Sequence, residues 1–331
     1  HYSPSGQEYT GDFWVQGRCM GDQTARFVQD HHNADMILAI GWNGMVSHAT
    51  PQAPRVLQKV SKDPDKLLVV IDPRRTPSSE RADMLLQPVP GTDGILALAL
   101  AKIIVDRQYH NEAFLEKHVL GFPEFAQSLL SLDLDQASLE CGIPLYLIEE
   151  LAIEMGSIKP MTLMAGYGVQ RYTNGGQTIR CLLALSVITG NIGKEGACWH
   201  YANLQSYIFD AVKEPESYFP DSEKDKPFRR KISTALLGEQ MLETDAPGLK
   251  MAWVERGNPL TQNPDSKLVL KAFRKLDFLV VVEQFMTDTA LEADLVLPAN
   301  SMFEQSDIIG SYWNPYVQLK QKVVDPPGEV K

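Results

Sequence analysis

The apolar residues of this chain come in short uninterrupted runs instead of alternating with polar ones. Met36–Ile40, in NADMILAIGWN, is one such run closed by Gly41, and Leu67–Ile71, in DKLLVVIDPRR, is the next. A short run that is apolar at every position predicts a strand covered on both faces, which is the habit of parallel sheets. The Pro-bounded helical stretch between the two runs supplies the crossover. ADMLLQPV predicts a third strand and GTDGILALALAKIIV the helix after it. MTLMAGYGV repeats the strand that ends in glycine, and GQTIRCLLALSVITGNIG reads as an apolar helix stopped by Gly190 and Gly193. Up to about residue 200 the chain is therefore expected to be one α/β unit.

VKEPESYFPDSEKDKPFRRK then breaks the pattern, being charged, Pro-containing and aperiodic, so it predicts an exposed connection. The earlier grammar resumes after it. GLKMAWVERGNP, LDFLVVVEQF and ADLVLPA predict three more strands, with the helix DSKLVLKAFRKL between the first two. From Glu304 onward the sequence is aromatic and polar, and no strong helix or strand is expected there. The two halves echo each other in kind.

Composition narrows what such a protein does. A length of 331 residues with 44% apolar content allows about two domains with a sizeable core. A net charge of −11 sets nucleic acid aside, since affinity for a phosphate backbone rests on Lys and Arg. Direct membrane insertion is also set aside, because GILALALAKIIV falls short of the ~18 apolar residues a span needs. Cys19, Cys141, Cys181 and Cys198 show no CxxC pairing, and read as reduced, mostly buried thiols and not as metal ligands.

Ligands of open parallel sheets sit beyond the carboxyl ends of the strands, and four predicted strand ends carry unusual residues. These are Gly41-Trp42-Asn43, Asp72-Pro73-Arg74-Arg75, Gly166-Tyr167-Gly168 and Arg256-Gly257-Asn258-Pro259. Asp72 can accept both hydroxyls of a ribose, or it can simply close a turn. No G-x-G-x-x-G follows the first strand, which counts against a nicotinamide or flavin dinucleotide. Gly91-Thr92-Asp93-Gly94 opens a helix whose first N–H groups suit an anion, as most helix starts do. Gly166 and Gly168 let a ligand lie against backbone, or serve a tight turn.

Taken together, IGWN…SH, IDPRRT…ADM, PGTD, GYGV, TGNIGKEG, GNPL and FMTDTALEADLVLPA, in this order from about Asn33 to Asp325, resemble the molybdopterin oxidoreductases of the dimethyl sulfoxide reductase superfamily, and the formate-dehydrogenase-like members among them. The resemblance implies two Rossmann-like α/β units with mainly parallel sheets covered by helices. It also implies molybdenum or tungsten held between two molybdopterin guanine dinucleotides, one per unit. By the same resemblance Gly41, Trp42, Asn43, Ser47 and His48 would border one nucleotide. Asp72, Pro73 and Arg74 would meet its ribose or guanine, and Gly91, Thr92 and Asp93 its surroundings. Gly166, Tyr167, Gly168 and Arg171 would approach the pterin. Gly257, Asn258, Glu283 and Thr287 would meet the second nucleotide, Glu283 standing where the family often has Asp.

Formate-dehydrogenase-like members ligate the metal through Cys or selenocysteine followed at once by His. The opening HYSP therefore predicts a central fragment whose metal ligand preceded His1, with His1 as the proton-transfer residue and no metal ligand left in the chain. The resemblance further implies a 4Fe–4S cluster in an N-terminal domain outside the chain, an iron–sulfur electron-transfer subunit as partner, and no cofactor held by the fragment alone. Residues 1–200 would be a complete domain, 201–302 part of a second, and 303–331 a segment belonging with the N-terminal domain. Apolar surface is then expected to lie exposed on the second half. The compartment is cytoplasmic in this reading, or periplasmic if a twin-arginine signal precedes. The substrate is a small molecule. Formate is disfavoured, since GNIGKEGACWHYANLQS lacks the Arg that formate dehydrogenases carry soon after their GNLGK, and His200, Asn203 and Gln205 occupy that region. His200 is either a proton-transfer group or an ordinary hydrogen-bonded histidine. A cofactor-free scaffold subunit, and a non-redox hydratase or transhydroxylase on the same cofactor, stand as alternatives.

Overall fold

The computed structural model describes residues 15, 17–21, 27, 30–47, 50, 52–201, 232–245, 247–310 and 316–328. The charged connection at 212–231 lies outside them. The described residues divide into two compact units, one ending at Tyr201 and one beginning at Ile232.

In the first unit the predicted runs are strands. They are β1 (Met36–Ile40), β2 (Leu67–Ile71), β3 (Met84–Leu86), β4 (Met161–Ala165) and β5 (Cys198–Tyr201), and they form one sheet in the order β3-β2-β1-β4-β5. All neighbours run parallel, with Met36 beside Leu67 and Met161, and Ile40 beside Ile71 and Ala165. Uninterrupted apolar runs are required because both faces are covered. Met36, Leu38 and Ile40 join one core, while Ile37 and Ala39 join another on the opposite face. After β1 come α1 (Gly44–Ser47) and α2 (Ala53–Val60), whose Val56, Leu57 and Val60 fill the second core.

The larger core belongs to α3 (Asp93–Asp106) and to four helices between residues 112 and 157, namely α4 (Glu112–His118), α5 (Phe122–Leu129), α6 (Leu134–Cys141) and α7 (Leu145–Ser157). It also takes in α8 (Gly175–Ile188). Cys141 and Cys198 are buried, Cys181 is half-buried and Cys19 is exposed. No helix among the described residues is long and apolar enough to cross a membrane.

The second unit has α9 (Leu237–Glu243), β6 (Met251–Glu255), α10 (Pro259–Gln262), α11 (Ser266–Arg274), β7 (Phe278–Glu283), α12 (Asp288–Leu291) and β8 (Leu295–Pro298). Its three strands pair in parallel in the order β6-β7-β8. Helix α11 buries Val269, Ala272 and Phe273 and turns Lys271 and Arg274 outward. One face of this sheet is partly exposed among the described residues, although Val280 at its centre is buried. Met251 and Trp253 on β6, Phe278 on β7 and Leu295 on β8 are all exposed, Trp253 by 55%, as expected of the second half.

The segment after Glu304 departs from expectation. Asp307–Gly310 (β9) and Val317–Lys320 (β10) pair antiparallel, with Val317 opposite Gly310 and Lys320 opposite Asp307. Each strand is four residues long and exposed along nearly its whole length, so neither carries the apolar run that marked the others.

Candidate functional site

The strand order turns back between β1 and β4. The chain leaves β1 toward β2 and β3 on one side, then returns to lay β4 and β5 on the other. That reversal lies at the carboxyl ends of β1 and β4, the position where open parallel sheets form a crevice for ligands. Gly41-Trp42-Asn43 and Gly166-Tyr167-Gly168 are its two lips. The Gly41 N–H donates to the Ile71 carbonyl at 2.8 Å, and the Gly166 N–H to the Ile40 carbonyl at 2.8 Å. A Cβ on Gly166 would stand 1.8 Å from the Gly41 carbonyl oxygen, so only glycine lets the lips approach this closely. Gly41 itself adopts φ +56°. At Gly168 a Cβ would meet nothing within 4 Å.

Trp42 packs back against Gly44, where a Cβ would lie 2.3 to 2.7 Å from the indole ring. Its side chain is only 5% exposed, and the buried Nε1 has no hydrogen-bond partner among the described residues. Asn43 accepts a hydrogen bond on Oδ1 from the Ser78 hydroxyl at 2.8 Å, while its backbone carbonyl receives the N–H groups of Val46 and Ser47. The Ser47 side chain is exposed. On the β4 lip, Tyr167 meets Tyr201 edge to face at 5.9 Å, and Arg171 is exposed.

Beyond β2, Asp72 accepts the Arg74 N–H on Oδ1 at 2.8 Å. The turn role read from the sequence is therefore real. It occupies one carboxylate oxygen and leaves the other without a hydrogen bond to a described residue. Pro73 and Arg74 are exposed, and the Pro73 carbonyl takes a bond from Gln87 Nε2 at 3.1 Å. Beyond β3, Gly91 has φ +91°, and a Cβ there would lie 3.0 Å from the Tyr172 ring. The Thr92 hydroxyl donates back to the Val89 carbonyl at 2.7 Å instead of capping α3. Asp93 opens that helix at 7% exposure. Burial pushes its carboxyl above the usual range, a backbone hydrogen bond opposes the shift, and the charge of Asp72 adds to it. Gly41–Ser47, Asp72–Arg74, Gly91–Asp93 and Gly166–Arg171 thus all lie at one end of one sheet.

The second unit presents the same end of its own sheet. Gly257 and Asn258 follow β6, after Arg256 in the left-handed region at φ 55°. Asn258 Oδ1 accepts from the Thr289 hydroxyl at 2.6 Å and from the Thr289 N–H at 3.2 Å. Glu283 ends β7, with Oε1 accepting the Gln284 N–H at 2.7 Å. The Thr287 hydroxyl accepts from the Ala290 N–H at 3.2 Å and so caps α12. Ser78 and Thr289 were not singled out from the sequence. His1, His48, Asn203 and Gln205 lie outside the described residues.

His200, on β5 beside Met164, is 3% exposed. Burial, with the neighbouring His31 adding to it, holds its imidazole down at about 3. A group so placed is neutral at ordinary pH, which favours the ordinary-histidine reading over proton transfer. Among the described residues no three His, Cys, Asp or Glu side chains gather to hold a metal ion.

Residues 12–331 match the family model described as Molybdopterin oxidoreductase. The chain belongs to that family. It is 32% identical to the probable oxidoreductase YyaE of Bacillus subtilis over 96% of its own length and 46% of the relative's. It is also 32% identical to the F420-dependent formate dehydrogenase subunit alpha of Methanocaldococcus jannaschii, over 91% of the chain and 46% of that protein. Among solved structures, the acetylene hydratase from Pelobacter acetylenicus superposes with a TM-score of 0.78 at 21% identity, over all of this chain and 49% of that one, a likeness of fold. The chain spans about half the length of these relatives. Family membership carries a molybdenum- or tungsten-pterin cofactor with it. The site residues fit such a group, since Gly168 borders open space and Trp42 Nε1 is a buried donor with no hydrogen-bond partner among the described residues.

Proposed function

We propose that this chain carries both nucleotide-binding sheets of a molybdenum or tungsten enzyme, each sheet holding one molybdopterin guanine dinucleotide at its carboxyl end. The observation that supports this most is that both units put a strand-glycine-asparagine corner at that end, with an acidic residue closing the adjacent strand. In the first unit, Asp72 would accept from the ribose hydroxyls or the guanine through its second oxygen, with Arg74 balancing phosphate charge and Gly91–Asp93 bordering the nucleotide. Tyr167 and Arg171 would face the pterin. In the second, Gly257, Asn258, Glu283 and Thr287 would serve the other nucleotide. Residues 1–200 are assigned to the first binding domain, 201–302 to part of the second, and 303–331 to a segment packing with an N-terminal domain that carries a 4Fe–4S cluster.

When bound, the metal–pterin group supplies two-electron chemistry on a small substrate. The chain's own residues bind it, orient it and keep water from its nucleotides. An iron–sulfur subunit would complete the electron path.

The test is the composition of the full-length enzyme. Metal analysis and acid release of nucleotide are expected to give molybdenum or tungsten together with guanine nucleotide, and finding neither would overturn the proposal. Asp72→Ala removes charge-assisted hydrogen bonds worth roughly 1.5–3 kcal/mol. It is expected to lower retained guanine nucleotide about tenfold or more while the chain stays folded. Wild-type nucleotide content in that variant would return Asp72 to turn duty alone.

A further inference from the structure

Two corners of the molecule, one in each unit, are built alike down to single hydrogen bonds. Asn43 is the third residue after β1, and Asn258 is the third after β6. In the first corner the Ser78 hydroxyl donates to Asn43 Oδ1 at 2.8 Å and accepts the N–H of Met45, two residues past the asparagine, at 3.1 Å. In the second the Thr289 hydroxyl donates to Asn258 Oδ1 at 2.6 Å and accepts the N–H of Leu260, again two past the asparagine, at 3.2 Å.

Both hydroxyls come from the segment that follows the neighbouring strand, Ser78 from the turn after β2 and Thr289 from α12 after β7, and both residues are 0% exposed. Both also stand five residues before an aspartate that ties down that strand. Asp83 Oδ2 accepts the Leu68 N–H at 2.8 Å, and Asp294 Oδ2 accepts the Leu279 N–H at 2.6 Å, Leu68 and Leu279 being the second residues of β2 and β7. The duplication therefore reaches beyond the strands to the side chains that hold their ends.

At Asn258 the chemistry of the corner decides which way the amide points. A backbone N–H can only donate, so the Thr289 N–H at 3.2 Å requires the oxygen of Asn258, not its NH2, to face the protein. The hydroxyl then gives its single proton to the same oxygen. At Asn43 the Ser78 hydroxyl accepts the Met45 N–H and donates to Oδ1 in the same arrangement. Each NH2 is left turned away from its bracing hydroxyl, and neither Nδ2 donates to a described residue or is buried without a partner.

We propose that Ser78 and Thr289 are positioning residues, each locking an asparagine so that its amide protons meet an acceptor oxygen of the nucleotide at that strand end. The proposal rests on the function assigned above. An unlocked amide rotates freely and presents its oxygen as readily as its NH2, which would set acceptor against acceptor. A buried hydroxyl removes that alternative before the ligand arrives.

The experiment compares three kinds of variant in the full-length enzyme, reading guanine nucleotide released per folded protein beside the melting temperature. Asn43→Asp and Asn258→Asp keep an oxygen for the hydroxyl and replace the NH2 by a second oxygen, so at least a tenfold loss of retained nucleotide is expected. Ser78→Ala and Thr289→Val are expected to lose at least threefold, with Ser78→Thr and Thr289→Ser restoring wild-type content. Variants that melt lower yet keep wild-type nucleotide content would show the hydroxyls to be structural braces only, and would overturn the proposal. Wild-type enzyme that releases no guanine nucleotide would instead overturn the functional assignment and this proposal together.

Discussion

Alanine at Gly166 is expected to destabilise the first unit by about 3 kcal/mol or more, whereas alanine at Gly168 should change stability by no more than about 0.5 kcal/mol. The two glycines flank one tyrosine and look equivalent in sequence, but they are not equivalent in space. At Gly166 the new methyl would lie 1.8 Å from the Gly41 carbonyl oxygen, 2.6 Å from its carbon and 3.1 Å from Trp42 Cα. All three are backbone atoms, so no side-chain rotation relieves the clash. The lips of β1 and β4 would have to part, breaking the Gly166 N–H bond to Ile40 as they do so. At Gly168 the methyl meets nothing within 4 Å. Urea unfolding of the two variants measures the difference. Equal midpoints would mean that the lips move apart freely and that this strand end is not rigid.

The strands of the first unit were legible because parallel sheets buried on both faces demand uninterrupted apolar runs, which Met36–Ile40 and Leu67–Ile71 carry, and in the second unit the apolar run Phe278–Val282 marks the central strand. The same logic hid β9 and β10, whose short exposed strands, DIIG and VQLK, bury almost nothing. Residues 112–157 fold into four helices that alternate buried and exposed positions over short lengths, and no strand-end motif draws attention to them.

At the site, residue type and place in the strand pattern revealed the glycines, Asp72 and the two asparagines. What holds them did not show. TPSS offers three hydroxyls at Thr76, Ser78 and Ser79, and TDT offers two at Thr287 and Thr289. In space Thr76 and Ser79 bond each other and Thr287 caps a helix, leaving Ser78 and Thr289 for the asparagines. One signal was available. Ala82-Asp83 and Ala293-Asp294 open the third strand of each sheet, and counting back five residues from either aspartate lands on the bracing hydroxyl.

Acid should unfold the first unit through His200 ahead of any effect on the surface. The imidazole is fully enclosed on β5, and its value falls from an ordinary 6.5 to about 3, with burial as the main cause and His31 adding to it. Between those two values the unfolded chain binds a proton that the folded chain refuses. Stability is therefore complete above about pH 6.5 and declines as pH falls toward 3, by roughly 1.4 kcal/mol per pH unit inside that window. Asp93 works in the opposite sense, because burial raises its carboxyl and the folded state then takes up a proton more readily than the unfolded one. Comparing wild type with His200→Gln under the same conditions cancels that contribution. Urea midpoints at pH 7, 6 and 5 are expected to fall steeply for wild type and clearly less for His200→Gln, which carries no titrating group at that position. Parallel curves would mean that His200 accepts its proton in the folded state, and an imidazole able to do so would regain its claim to a proton-transfer role.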